Sequence, residues 1–193
     1  MTTTGTDRRP PSASRARVEE AALQLFAQDG VSGTSLQMIA DAMGVTKAAV
    51  YWHYRSKDEL VLGVLRPVLE ALDVIAADAA SPRGRRARVE TILTGIVDLF
   101  ISNRRRLTMV LADATVRQLL AEHPPLTSSV DRVIDLMSSG PGDSGSRTAA
   151  VMFLAGLQGA AADPICTGLG DEVLRAHLLD CGRRLLHVRR PSD

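Results

Sequence analysis

Aromatic side chains and lysines are scarce in this chain. Of its 193 residues only six are Phe, Trp or Tyr, and arginine supplies nearly all positive charge because Lys47 and Lys57 are the two lysines. No apolar run reaches the roughly 18 residues of a membrane-spanning helix, and the first residues, MTTTGTDRRPPSAS, lack the apolar segment of a secretion signal. We therefore expect a cytoplasmic protein in which Cys166 and Cys181 are reduced, with a disulfide or redox role as the minority alternative.

The sequence also lacks the motifs of common enzymes. Its four histidines, at positions 53, 123, 177 and 187, form no HExxH motif, and neither a glycine-rich phosphate loop nor a nucleophile elbow is present. His177 and Cys181 are four residues apart and could bind a soft metal with Cys166, but two ligands at helical spacing often arise by chance. We therefore predict no catalytic residue, no cofactor and no metal site.

The apolar residues recur at helical spacing along almost the whole chain, and no segment alternates as a strand does. A hydrophobic content of 45% is ample for a buried core. We predict an all-α fold of about nine helices, divided into a head over residues 14–57 and a body over residues 58–193. Residues 1–13, rich in Thr, Ser, Pro and Gly, are predicted to form a disordered arm.

Three short helices are predicted in the head. Each is bounded by a capping residue and a terminating residue: Ser14 and Gly30, Ser35 and Gly44, and Thr46 and Tyr54. Two helices that cross steeply need a small residue at their contact, a turn residue that tolerates positive φ and an apolar wedge on the second helix. Ala40, Gly44 and Val50 have these properties, so the spacing predicts a helix-turn-helix.

Six further helices are predicted in the body. The first runs from Lys57 to about Ala79 and should be kinked by Pro67, whose ring removes a helical hydrogen bond. The next begins at Ser81-Pro82 and ends with the arginines 104–106. The remaining four are expected at about 107–122, 126–137, 146–162 and 171–187.

Three of the six aromatic side chains lie within Tyr51-Trp52-His53-Tyr54, between the two lysines. Amphipathic rings and cations on a short helix are suited to holding phosphates beside a duplex groove. Up to Lys57 the chain has seven basic and five acidic side chains, whereas the rest has sixteen and seventeen, so the small positive bias also points to the head. Core packing is the alternative for these rings, and we expect it for Tyr54.

The stretch TSLQMIADAMGVTKAAVYWHYRSKDEL resembles the helix-turn-helix of TetR-type transcriptional regulators. The resemblance is specific over about residues 14–62, and a nine-helix layout agrees with the family thereafter. It implies a homodimer that holds two heads over a palindromic operator, with a small-molecule pocket in each body. The expected function is that of a ligand-responsive regulator, in the first place a repressor that a small and largely apolar effector releases.

The resemblance also implies roles for residues of the head. In the family the start of the third helix contacts bases, which here means Thr46, Lys47 and Ala48, and Lys47 can donate to guanine O6 or N7. The other expected DNA contacts, mainly to phosphates, are Ser35, Tyr51, Trp52, His53 and Lys57. Ala49 stands where relatives often have Thr or Ser, so base readout is expected to depend more heavily on Lys47.

The same resemblance suggests residues that line an effector pocket. The candidates are Leu65, Leu69, Leu93, Val97, Phe100, Val110 and Phe153, and ordinary core packing is the alternative for each. Because Phe100 and Phe153 are the only aromatic residues of the body, an aliphatic effector is favoured over a flat, dye-like one. Polar side chains that could orient it are Thr94, Asp98, Thr115, Gln118 and Gln158.

Small residues in the segment 146–162 would allow another helix to approach closely. We therefore expect the segments 146–162 and 171–187 to form the homodimer interface. Two functions of other classes remain open: an architectural DNA-binding protein without an effector, and a helical enzyme or metal-binding protein with an incidental helix-turn-helix. The large body argues against the first, and the missing catalytic motifs argue against the second.

Overall fold

The computed structural model describes residues 14–80, 84–111, 113–138 and 143–187. These residues form ten α-helices and no strand, which confirms the predicted all-α fold. The helices are α1 (Arg15–Gly33), α2 (Leu36–Met43), α3 (Lys47–His53), α4 (Lys57–Ala79), α5 (Gly84–Leu111), α6 (Ala114–Ala121), α7 (Pro124–Met137), α8 (Ser144–Ala162), α9 (Pro164–Gly168) and α10 (Asp171–Leu185). None of these described helices is both long and apolar enough to cross a membrane. The predicted arm over residues 1–13 and the predicted helix start at Ser81-Pro82 lie outside the described residues.

The helix boundaries in the head follow from the capping residues that the sequence predicts. The hydroxyl of each predicted cap, Ser14, Ser35 and Thr46, accepts a hydrogen bond from the amide three residues later, at 3.2 to 3.3 Å. Gly30, with φ 72°, interrupts α1, and Gly44, with φ 64°, ends α2; L side chains rarely adopt either conformation. The three predicted helices are therefore confirmed, and α1 continues for one short turn beyond its predicted end.

One predicted break in the body is wrong. The sequence suggested that a helix ends with the arginines 104–106, but α5 continues through them to Leu111. Arginine is a good helix former, and positive charge near a helix end does not itself stop the helix. The next helix begins where Asp113 supplies a cap, its carboxylate accepting a hydrogen bond from the amide of Thr115 at 2.9 Å.

Two helices of the body begin at proline. α7 starts at Pro124, where the sequence predicted a break, because a proline in the first helical turn needs no N–H donor. α9 starts at Pro164 and was not predicted. The carboxylate of Asp163 caps it by accepting hydrogen bonds from the amides of Ile165 and Cys166, both at 2.9 Å.

The chain divides into two compact units, Met1–Val64 and Leu65–Asp193. The division falls inside α4, which runs through Pro67 to Ala79, whereas the sequence placed it at Lys57. The first turns of α4 belong to the head because their apolar side chains are buried: Leu60, Val61 and Val64.

Tyr54, at the end of α3, contacts residues of both α1 and α4. Its side chain is completely buried, and its hydroxyl accepts a hydrogen bond from Arg15 Nε at 2.9 Å and donates one to Glu19. Burial and the hydrogen bond to the Glu19 carboxylate raise the pKa of Tyr54 above its ordinary value. The ring lies against Gly63, where an added Cβ would stand 2.6 Å from Tyr54 Cε1.

In the body, α5 packs against α6, α7, α8 and α10. Arg183 of α10 donates from Nε to Glu90 Oε1 of α5 at 3.0 Å. Close approach of the two helices depends on Gly182, because a Cβ there would overlap Leu93 and stand 2.8 Å from a ring carbon of Phe153. The body core is therefore organised around α5.

Replacing Gly63 by alanine should destabilise the head. The added methyl group overlaps the buried Tyr54 ring, and such overpacking costs about 1 to 3 kcal/mol. Gly33→Ala is the matched control within the head, because a Cβ there meets only Asp29 Cβ, at 3.5 Å. Urea unfolding followed by far-ultraviolet circular dichroism measures the loss of helix in both variants. Equal unfolding midpoints for Gly63→Ala and the unsubstituted protein would contradict the packing.

Candidate DNA-binding site

The turn between α2 and α3 is closed by Gly44. Its amide donates to the carbonyl of Asp41 at 3.1 Å, and the amide of Val45 donates to that of Ala40 at 3.0 Å. This left-handed cap satisfies carbonyls that the end of α2 would otherwise leave without partners. Ala40 and Val50 are completely buried. The three positions on which the helix-turn-helix was predicted therefore have the expected environments.

Because Val50 points into the core, the other side of α3 faces solvent. The exposed residues of α3 and its cap are Thr46, Lys47, Ala48, Tyr51 and Trp52, which together form the recognition surface. Trp52 is 81% exposed and Tyr51 is 40% exposed. Core packing, the alternative for these two rings, is therefore ruled out in this structure, whereas it is confirmed for Tyr54.

Side-chain contacts order the recognition surface. Lys47 Nζ lies 5.2 Å from the centroid of the Tyr51 ring, within the range of a cation–π interaction. The rings of Trp52 and His53 meet edge to face with their centroids 4.8 Å apart. Both contacts restrict side chains that would otherwise sample many rotamers, so a ligand of this surface meets partly positioned groups.

Ser35 and Lys57, two of the expected DNA contacts, already have partners within the head. The Ser35 hydroxyl is occupied in capping α2. Lys57 Nζ donates to the carbonyls of Val31 and Ser32 at 3.0 and 3.2 Å, just after Gly30 interrupts α1. An ammonium group has three N–H donors, so one remains for the predicted phosphate contact. These bonds join residues that are far apart in sequence, and no local pattern predicts them.

Residues 20–64 match the family model described as bacterial regulatory proteins, tetR family. These residues contain α2, α3 and the whole recognition surface. Residues 20–64 are therefore a tetR-family DNA-binding region. The relatives that match this part of the chain are named HTH-type transcriptional regulators, in agreement with the predicted helix-turn-helix. The HTH-type transcriptional regulator AcrR of Shigella flexneri is 51% identical over 47 residues, which are 24% of this chain and only 22% of AcrR.

Solved structures resemble the whole chain in fold. The fatty acid degradation regulator FadR from Bacillus halodurans has a TM-score of 0.70 and 16% identity, with 96% of this chain and 100% of that one covered. FadR from Bacillus subtilis, in complex with stearoyl-CoA, has a TM-score of 0.66 and 12% identity, with 88% and 97% covered. The sequence match to AcrR thus covers about a quarter of the chain, whereas these two structures show a likeness in fold alone.

A cavity of about 160 Å³, here called the body cavity, is lined by residues of α4, α5, α7 and α8. Phe100 and Gln158 line it, as predicted. Its described lining does not include the other six predicted apolar candidates: Leu65, Leu69, Leu93, Val97, Val110 and Phe153. All of them are buried except the half-buried Leu69. Helical periodicity identified their buried faces, but it contains no signal for which part of a face borders an empty space.

A second cavity, of about 550 Å³, lies along α4 and α5 and includes the predicted polar candidates Thr94 and Asp98. Asp98 is not free to orient a ligand there, because Arg175 Nη2 donates to its Oδ2 at 3.1 Å. Within the described part of the chain, no three His, Cys, Asp or Glu side chains are grouped so that they could hold a metal ion.

The hydrogen bonds of Lys57 predict different effects for the two lysines on stability. Lys57→Met should lower the free energy of unfolding of the head by about 1 kcal/mol, since two carbonyls lose a charged donor. Lys47→Met should change it by less than about 0.5 kcal/mol, since Lys47 is exposed. Urea unfolding of both variants checks this. The same loss in both would show that the Lys57 hydrogen bonds contribute nothing of their own.

Proposed function

We propose that this tetR-family regulator binds a palindromic operator as a homodimer in the cytoplasm and represses transcription until a small, largely apolar effector releases it. The observation that carries the proposal is the recognition surface, where a cation and two rings are exposed on a helix whose other side is buried. An 81% exposed tryptophan beside a lysine is typical of a binding surface rather than of a solvated one.

Each part of the recognition surface suits a different DNA group. Lys47 projects at the start of α3, where it can donate to guanine O6 or N7 in a major groove, and Thr46 and Ala48 flank it. Tyr51 can reach a phosphate or a thymine methyl group, and Trp52 and His53 follow it at the end of α3. The remaining N–H of Lys57 is available for a phosphate oxygen.

A second copy of the chain is the proposed partner of α8 and α10, the two helices that correspond to the predicted interface. α8 exposes the apolar side chains of Val151 and Met152, at 45% and 57%, next to small residues that include Ala155. α10 exposes Val173 at 48%. An apolar face with small residues lets a second helix pack closely, and two heads are needed because one short helix reads few base pairs.

The body cavity is the proposed effector site. It lies in the unit that an architectural DNA-binding protein would not need, which favours a ligand-responsive regulator over that alternative. The Bacillus subtilis FadR structure, of the same fold, was solved in complex with stearoyl-CoA. That structure supports a body of this fold as a ligand-binding unit, while the chemistry of the ligand depends on the residues of this chain.

The two lysines should separate base reading from phosphate binding. An operator is first selected from a random DNA pool, and a palindrome with half-sites about one helical turn apart is expected. Lys47→Ala should relax the preference at one or two positions, by about 1 to 3 kcal/mol. Lys57→Ala should weaken all sequences alike and lower the salt slope by roughly one.

Binding titrations on the operator and its single-base variants, at several salt concentrations, measure both quantities. The unfolding measurement on Lys57→Met shows how much of the lost DNA affinity comes from destabilisation of the head. A uniform loss for Lys47→Ala would make it a phosphate contact, and recovery of no preferred sequence at all would favour the architectural alternative.

Sedimentation should show a dimer at micromolar concentration. Ala155→Arg places a long cation on the proposed interface and should give a monomer that binds the operator more weakly. Val74→Arg is the matched control, because Val74 is 59% exposed on α4, which is not part of the proposed interface. A monomeric unsubstituted protein, or an Ala155→Arg dimer as stable as the control, would contradict the proposed interface.

A further inference from the structure

The body cavity has an almost entirely apolar lining. Of its eleven described lining residues ten are apolar, among them Val68, Leu72, Val133 and Leu157. Gln158 is the one described lining residue with a polar side chain. The cavity therefore favours ligands by the apolar surface that they remove from water, and it offers very few hydrogen bonds.

This lining discriminates strongly against charged ligands. No described lining residue has an ionisable side chain, so a carboxylate or ammonium group inside the cavity would lose its hydration without gaining a counter-charge. The phosphates of a coenzyme A ester face the same obstacle. The described lining therefore favours an occupant that is uncharged at neutral pH.

The volume limits the size of the occupant. A dry apolar cavity of about 150 Å³ is known to bind benzene, and the body cavity measures about 160 Å³. This space corresponds to a ligand of about six to eight non-hydrogen atoms. A long acyl chain is far too large. Phe100 is the one aromatic residue of the described lining, so a planar ligand gains little stacking over a saturated ring.

Gln158 adds one directional contact. Its side chain is exposed. An amide can both donate and accept, so it can pair with one hydroxyl or one carbonyl of a ligand. A ligand with several polar groups would leave the others without partners against the apolar walls.

We infer that the effector is a compact, uncharged aliphatic molecule of about six to eight non-hydrogen atoms with a single hydroxyl or carbonyl group that bonds to Gln158. That this molecule acts as an effector rests on the proposed function. That such molecules bind in the cavity does not depend on it. It assigns the ligand a class much smaller than the stearoyl-CoA bound by the Bacillus subtilis FadR.

Three probes of equal size test the class on the full-length protein: cyclohexanol, methylcyclohexane and cyclohexylamine. Their affinities come from the rise in melting temperature with probe concentration. Cyclohexanol and methylcyclohexane should bind within about tenfold of each other, because the hydrogen bond to Gln158 and the extra apolar burial of the methyl group are similar in size. The cyclohexylammonium ion should bind at least about tenfold more weakly than cyclohexanol because it is charged.

Two kinds of variant test whether the probes bind in the body cavity. Gln158→Leu should weaken cyclohexanol binding about three- to tenfold and leave methylcyclohexane binding as it was. Leu157→Phe fills the cavity and should abolish binding of all three probes, and Leu154→Phe, at a half-buried lining position, does the same if Leu157→Phe unfolds. Equal or tighter binding of cyclohexylammonium, or probe binding that survives both cavity-filling changes, would overturn the inference.

The failure of this inference is distinguishable from failure of the proposed function. The probe titrations contain no DNA, so their failure overturns the ligand class and leaves operator binding untouched. If cyclohexanol binds but the protein selects no DNA sequence, the cavity assignment stands and the regulatory function does not. If cyclohexanol releases operator DNA from the unsubstituted protein but not from Leu157→Phe, the ligand class and the regulatory function are both supported.

Discussion

The burial of Val50 and Tyr54 is the constraint on which the recognition surface depends. Both side chains are completely buried, four residues apart at the end of α3, so the rest of that short helix must face outward. Tyr54 is held by Arg15 and Glu19 and fits only because Gly63 has no side chain. The exposure of Trp52 thus follows from the burial of a ring two residues away, and the recognition surface is a consequence of how the head packs.

Features set by neighbouring residues could be predicted from the sequence, and features set by distant ones could not. Ser35 and Gly44 act on the nearest amides and carbonyls, so their roles followed from residue type and spacing. α5 continues to Leu111 through the run of arginines, which favours a helix, so the end predicted there is wrong. Lys57 reaches carbonyls of α1 that only the folded head brings near. The position of a cavity depends on how side chains from several helices pack together. Of the seven apolar candidates, only Phe100 is among the described residues that line the body cavity.

α4 contributes to both units of the chain. Leu60 belongs to the buried core of the head, whereas Val68 and Leu72 line the body cavity, and Pro67 lies between them without an N–H to donate. A ligand in the cavity changes DNA affinity only if it binds one arrangement of α4 better than another. By reciprocity, DNA must then change the affinity for the ligand by the same factor.

The size of the cavity sets how such a difference can arise. Small ligands gain at most about 1.5 kcal/mol per non-hydrogen atom, so the whole binding energy of a seven-atom molecule is limited to roughly 10 kcal/mol. A coupling of about 1 to 3 kcal/mol, which loosens DNA about 5- to 150-fold, is a large fraction of that limit. A loosely fitting site cannot supply this coupling, because a ligand that touches the walls weakly binds the two arrangements of α4 with similar energies. A close-fitting cavity can, since a shift of 0.5 to 1 Å in one wall forfeits about a quarter to a half of its dispersion contacts. Tight packing of Val68 and Leu72 against the ligand is therefore what would allow so small an effector to act through α4.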